Sequence, residues 1–251
     1  MGLIDPNEGT VLMNNQKIDY TLTDQISFVT EERSLLTKLT VIEQLEYYGT
    51  LKDMEIDEIH EEADKWLEKF GITNYKNRKI KELSKGNQQK IQFIAAIINH
   101  PKLLILDEPF TGLDPLNVKL MKEAIYELQK EGCSIIFSSH QMEYIEDFCE
   151  QLVILVKGKA VVSGSLKQIK EDYGKKTIII QAEDLDPKEV EKITGVEKVD
   201  IKPNELVVTI ASKEIAPLVF KKIKKYNISK YVVEEPSLNE IFIEKVGSIH
   251  E

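Results

Sequence analysis

An α/β fold with a mainly parallel sheet, followed by a smaller α+β domain, is what the sequence predicts, and three observations predict it. Continuous apolar runs at 103–107 (LLILD), 134–137 (SIIF) and 152–156 (LVILV) read as strands buried on both faces. Between them, 116–130 and 142–149 carry apolar residues at helical spacing, so strands and helices alternate as in a parallel sheet. Beyond Tyr173-Gly174 the texture changes to four strands and two helices in the order βαββαβ.

The individual elements follow in order. GTVLMNNQKID at 9–19 reads as two short strands around an Asn-Asn turn, and QISFV at 25–29 as a third strand. TEERSLLTKL at 30–39 is charged and turn-like. Residues 40–54 have helical spacing behind a Thr cap, and 57–70 repeat it with acids in the first turn, where the helix dipole favours negative charge. The third helix covers 84–100, with Ile91, Ile94, Ala95 and Ile98 on one face. Gly158 marks a hairpin into 160–163. In the last part, strands are expected at 177–181, 196–201, 206–210 and 228–233, and helices at 187–194 and 215–226. That order matches a small ferredoxin-like domain, and a final helix follows Pro236-Ser237.

Composition narrows the function classes. The 251 residues carry 33 Lys+Arg against 43 Asp+Glu, a net charge of −10, which argues against unaided nucleic-acid binding. No stretch approaches the roughly 20 apolar residues that span a bilayer. The N-terminus lacks the pattern of a signal peptide. Two cysteines, Cys133 and Cys149, sit in no metal-ligand spacing, and Cys133 reads as a buried structural thiol.

Four short motifs carry chemistry. LLILDEP at 103–109 ends an apolar strand in two acids, at the sheet edge where open α/β folds bind ligands. Asp107 is placed to hold Mg²⁺, directly or through water, and Glu108 to polarise an attacking water as general base. LSKGNQQK at 83–90 puts Ser84 as a helix cap with Gly86 two residues on, so exposed N–H groups and the helix dipole favour an anion. SSH at 138–140 brings His140 past the second apolar strand. TGLD at 111–114 lies between them. Singly, each has a plain structural reading: a solvated strand end, an ordinary Ser-capped helix, a polar loop histidine.

In this order the motifs resemble the nucleotide-binding domain of ABC transporters, over most of residues 2–165. The resemblance implies that Ser84, Lys85, Gly86 and Asn87 belong to the signature motif that contacts nucleotide. By it, LLILDE is Walker B, Asp114 is the D-loop acid and His140 is the switch histidine. GLIDPNEG at 2–9 resembles the segment after the P-loop helix. TEERSLL sits at the Q-loop, where Glu31 replaces the usual Gln and is a second possible Mg²⁺ ligand. Residues of about 40–100 resemble the α-helical subdomain. EPSLNEIFIEKVG at 235–247 resembles the tail of ABC-2-type exporter ATPases of the sodium and drug efflux kind.

The resemblance implies a P-loop NTPase-like fold at 1–174 and an accessory ferredoxin-like domain at 175–251. It implies ATP and Mg²⁺ as cofactors and an ATPase that drives export through a separate transmembrane permease subunit. Its second partner is another ATPase subunit, paired head to tail, and its place is cytoplasmic, peripheral on the inner face of the membrane.

One departure is large. GxxxxGK[ST] needs a Gly followed by Lys, which occurs only at Gly158 and Gly174, and neither has Gly five residues earlier (Val153, Ile169). The phosphate cradle is therefore absent from this sequence, which reads as N-terminally truncated and inactive as written. In the family's sheet the P-loop strand neighbours the strand at 134–137, so an unpaired edge and poor folding or aggregation are expected. The alternatives are a non-catalytic module, or pseudogene product, that lends its signature motif to a partner, and an ABC-type ATPase of translation or DNA repair. The intact Asp107, Glu108 and His140 argue against the first. Against the second stands the lack of a tandem cassette or a coiled-coil insertion.

Overall fold

The structure is a computed structural model, and it describes residues 6–250. The start of the GLIDPNEG segment, at 2–5, lies outside the described residues. Contacts divide the chain into two compact units, Met1–His140 and Gln141–Glu251.

The first unit opens with a hairpin of β1 (Leu12–Met13) and β2 (Gln16–Lys17). Asn14 and Asn15 between them have φ of 51° and 63°, the pair of left-handed residues that a type I′ turn requires. β3 (Ile26–Val29) follows, then helices α1 (Val41–Thr50), α2 (Ile56–Lys69) and α3 (Lys85–Ile97). β4 (Leu103–Asp107), α4 (Pro115–Lys130) and β5 (Ser134–Ser138) complete the unit. The three later strands form a parallel sheet in the order β3-β4-β5, with Leu104 paired to Ser27 on one side and to Ile135 on the other.

The helices form because their ends are capped and their inner faces are apolar. Thr40 and Glu43 make a reciprocal capping box at the start of α1. Ser84 and Asp114 cap α3 and α4 through the backbone N–H groups of Asn87 and Asn117. Trp66, Phe70 and Phe93 are buried together, the rings of Phe70 and Phe93 meeting edge to face at 5.9 Å. Helix α3 is buried from Gln89 through Ala95, on more than the one face the spacing suggests, because α1 and α2 cover one side and β3 meets another.

The second unit starts with α5 (Met142–Phe148), a hairpin of β6 (Gln151–Val156) and β7 (Lys159–Ser165), and α6 (Leu166–Tyr173). Helix α6 has no counterpart among the sequence expectations. Then come β8 (Lys176–Ala182), α7 (Pro187–Glu191), β9 (Val196–Lys202), β10 (Glu205–Ile210), α8 (Ala216–Ile223), β11 (Ile228–Glu234) and α9 (Leu238–His250). Strands β8 to β11 form an antiparallel sheet in the order β11-β8-β10-β9. The expected βαββαβ unit is therefore present. Ile178, Ile180, Val208, Ile210, Val219 and Ile223 fill its core.

Two strand expectations are corrected. β5 is not buried on both faces, since Ile136 is 57% exposed; its outer edge, expected to be unpaired, has no partner among the described strands. β6 does not join a parallel sheet; among the described strands it pairs only with β7, antiparallel, and Val153 and Leu155 face outward. Sequence texture changes at 174, yet the units meet at 140, because Leu238 of α9 packs with Leu152 and Ile154 of β6.

Candidate functional site

β4 ends at Asp107, and the chain turns at Glu108, whose φ of 48° lies in the left-handed region that few non-glycine residues adopt. Its neighbours hold it there. The Glu108 backbone N–H donates to the Ser138 carbonyl at 3.2 Å, and Ser138 Oγ lies 3.3 Å from the same nitrogen. Carboxylate Oε1 accepts from both the backbone N–H and the ring Nδ1 of His140, each at 2.7 Å. Oε2 has longer contacts, 3.3 Å from Thr111 Oγ1 and 3.4 Å from Ser139 Oγ. The Glu108 side chain is 14% exposed and the His140 side chain 71%, so the acid is sheltered while the imidazole reaches outward. Ser138 Oγ also donates to Asp107 Oδ1.

A cleft of about 500 Å³ opens beside this turn. Glu31, Lys85, Gln89, Glu108, Thr111 and Gly112 line it. Two amides on α3 fix its walls. Gln89 Nε2 donates to the Pro109 carbonyl at 2.8 Å, just after Glu108. Gln92 Nε2 donates to the Thr30 carbonyl at 3.0 Å and to Thr30 Oγ1 at 3.2 Å, just before Glu31. The sequence reading did not single out these two glutamines. Their signal was polar residues three apart on a helix whose neighbours are apolar.

The structure thus brings Glu31, Lys85 and Glu108 to one cleft and binds His140 and Asp107 to the same turn. It does not place Ser84, Gly86, Asn87 or Asp114 in the cleft lining. Ser84 and Asn87 are joined as cap and capped amide at 3.4 Å. A Cβ on Gly86 would stand 3.7 Å from Asn117 Nδ2 and 3.8 Å from Leu113, so this glycine faces the start of α4 at ordinary contact distance. Both Asp114 oxygens are taken by Asn117, at 3.0 Å from its backbone N–H and 2.5 Å from its side-chain amide. The backbone hydrogen bond from Asn117 holds the Asp114 carboxyl below the usual range. Lys90, buried on α3, donates to the Phe70 carbonyl at 3.1 Å. Burial pushes its pKa down, against the opposing charge of Asp114.

Among the described residues, no group of three His, Cys, Asp or Glu side chains converges on a metal site. A Mg²⁺ that arrives with substrate phosphates takes only one or two carboxylates from the protein. Asp107 and Glu31 carry hard oxygen donors of that kind, Glu31 in the cleft lining and Asp107 held by Ser138 at the turn beside it. Toward a nucleotide the cleft offers the Lys85 ammonium, and the turn beside it the acid–imidazole pair of Glu108 and His140.

Comparisons with known proteins show the family. A family model described as ABC transporter matches residues 1–111, and one described as ATP-binding protein DrrA1-3-like, C-terminal domain, matches 164–246. An uncharacterized ABC transporter ATP-binding protein of Bacillus subtilis, YhaQ, is 46% identical over 252 residues, covering 100% of this chain and 84% of the relative. A solved ATP-binding subunit of an ABC transporter is 29% identical, with a TM-score of 0.64, over 69% of this chain and 73% of that one. The structure of cbiO1 from Clostridium perfringens, part of the ABC transporter complex cbiONQ, is 27% identical, with a TM-score of 0.59, over 68% and 71%. Motif order, the turn at Glu108 and these likenesses together mean that the chain belongs to the ABC transporter ATP-binding protein family.

Proposed function

We propose that this chain binds and hydrolyses ATP with Mg²⁺ as one subunit of an ABC exporter, and passes the energy to a separate membrane permease. The observation that carries the reading is the Glu108–His140 pair. Oε1 of Glu108 is saturated by two 2.7 Å hydrogen bonds, while Oε2 has only contacts beyond 3.2 Å. Oε2 is therefore the oxygen left to take a proton from water, which is the work of a general base. With Nδ1–H turned to the carboxylate, Nε2 of a neutral ring is an acceptor, so His140 must be imidazolium to donate to a phosphate oxygen. In a head-to-tail pair, Lys85 and the amides at the start of α3 would offer positive potential to the phosphates held by the second subunit. Asp107 and Glu31 would hold Mg²⁺, which supplies charge neutralisation at the phosphates when bound.

The sequence holds no GxxxxGK[ST], so residues 1–251 alone are proposed to turn over no ATP. The other half of the site then comes from a phosphate loop outside these residues or from a second ATPase subunit paired head to tail. The domains are proposed at 1–174 and 175–251. Export is proposed from the resemblance of 235–247 to exporter tails, and from the DrrA1-3-like match at 164–246. No described helix is long and apolar enough to cross a membrane, so the path for a substrate is proposed to lie in the permease, with this subunit peripheral on its cytoplasmic side.

A cavity of about 210 Å³ between β3, α1 and α3 suits that partner. Leu35, Phe28 and Tyr48 line it, and Gln44 Nε2 lies buried there without a hydrogen-bond partner. A peptide segment with an apolar side chain and a carbonyl would satisfy it.

The test is an ATPase assay on the chain fused to a strand–loop–helix carrying GxxxxGK[ST]. Turnover is expected to fall by about 10²-fold or more in Glu108→Gln and to persist in Cys133→Ala. Full activity in Glu108→Gln would remove the assigned base.

A further inference from the structure

The edge strand β11 carries a charged and apolar pattern that the site described above does not use. β11 ends the sheet β11-β8-β10-β9, and no described strand pairs with its other side. Its ladder with β8 is irregular between Ile228 and Lys230 and regular from Lys230 to Glu234. The regular segment reads Lys-Tyr-Val-Val-Glu, with a basic residue at one end, an acid at the other and Val232 in the middle.

That pattern is self-complementary. An antiparallel copy turned about a two-fold axis at Val232 sets Lys230 opposite the second copy's Glu234, and Glu234 opposite its Lys230. Tyr231 then faces Val233 in both directions, and Val232 faces itself. The irregularity before Lys230 limits the pairing to these five positions, so one register is selected.

The apolar surface agrees. Val232 is 38% exposed and Val233 43%. Phe220 of α8, also exposed, meets Tyr231 edge to face with ring centres 5.1 Å apart, on the face of the strand that Val233 shares, while Val232 lies on the other face. Glu234 is exposed and forms no ion pair among the described residues, whereas Lys230 has only a 3.5 Å contact with Glu205. The opposite edge differs. β9 carries Glu197, Lys198, Asp200 and Lys202, the interrupted charge that keeps an edge strand single. One edge is thus protected and the other is not, and a two-fold contact closes after two copies instead of growing.

We propose that two copies of this chain associate through β11 about a two-fold axis at Val232, joining their four-stranded sheets into one of eight strands. This contact is independent of nucleotide and of the ATPase reading above.

The test uses the full chain without nucleotide, with Cys133 and Cys149 replaced by Ala. A Val232→Cys variant meets its own mate within disulfide reach and is expected to cross-link as a dimer under mild oxidation. Adding Glu234→Lys or Lys230→Glu sets like charges opposite and is expected to raise the half-cross-linking concentration roughly tenfold. The double exchange Lys230→Glu/Glu234→Lys restores it. Ile201→Cys on the charged β9 edge, whose side chain at 70% exposure is more accessible than Val232, is the control for random encounter and is expected not to cross-link. Cross-linking of Ile201→Cys as efficient as that of Val232→Cys would overturn the proposal. So would no cross-link at Val232, or charge reversals that neither weaken nor restore it.

Discussion

Glu108 shows what a single residue can be asked to do. Its backbone sits at φ 48°, a conformation that costs an ordinary residue about 1 kcal/mol or more, and two hydrogen bonds from His140 hold it. Asp107, one residue earlier, lies in the regular strand and is tied to Ser138. The acid pair DE was legible in the sequence. That Glu108 leaves the strand through a left-handed turn was not, since no local rule favours Glu there. Tyr231 makes the residue-scale case for pH. Burial pushes its hydroxyl up to about 12, from an ordinary value near 10, and the hydroxyl donates to the Ala216 carbonyl at 2.6 Å. Between those values the folded chain holds a proton that the unfolded chain has lost. The contribution is complete below about pH 10 and lost as pH rises through about 12. Alkaline denaturation should therefore begin above pH 10, and Tyr231→Phe should remove one late-ionising tyrosine from the ultraviolet titration. Tyr173 is also pushed up to about 12, so a late component of undiminished amplitude in that variant would rule this out.

Elements were read best where capping chemistry and period agree. Thr40 and Ser84 read as caps in the sequence and are caps in the structure, whereas the capping by Asp114, read as the D-loop acid, and the partner role of Glu43 came only from the structure. Helix α6 was missed because its eight residues are too few to establish a period against the strand before it. The contact between α1 and α2 could not be read at all. Gly49 lies so close to α2 that a Cβ would stand 2.5 Å from Ile59 Cγ1 and 2.6 Å from its Cδ1, and Ile59 is fully buried. Gly49→Ala gains helix propensity yet overpacks this contact, so thermal denaturation should show a net loss of about 1–3 kcal/mol. A stabilised Gly49→Ala would mean that Ile59 has another rotamer to move to.

At the scale of the molecule, the decisive feature is an open sheet. β4 has a partner on each side, whereas β5 has one and leaves Ile136 57% exposed. An unpaired edge with an apolar side chain is a template for association. The 251-residue chain is therefore expected to scatter light on warming, and Ile136→Lys should reduce that scattering while shifting stability by no more than about 0.5 kcal/mol. Equal scattering from both chains would place the association elsewhere. Each unit nevertheless has its own core. The first is built on Trp66, Phe70 and Phe93, and the second on the isoleucines of β8 and β10.

By itself the sequence determined the family, the order of elements, the acids at the end of β4 and the lack of a phosphate loop within these residues. These are local properties, carried by short runs whose spacing fixes strand, cap or turn. Only the tertiary structure decided that β6 pairs, among the described strands, with β7 alone and that Gln89 and Gln92 brace the cleft. It also decided that Glu108 and His140 meet at 2.7 Å. The physical reason is that an apolar run reports a wish for burial and not its supply. Which neighbour covers a strand, and which side chains converge on a turn, depends on residues tens of positions away.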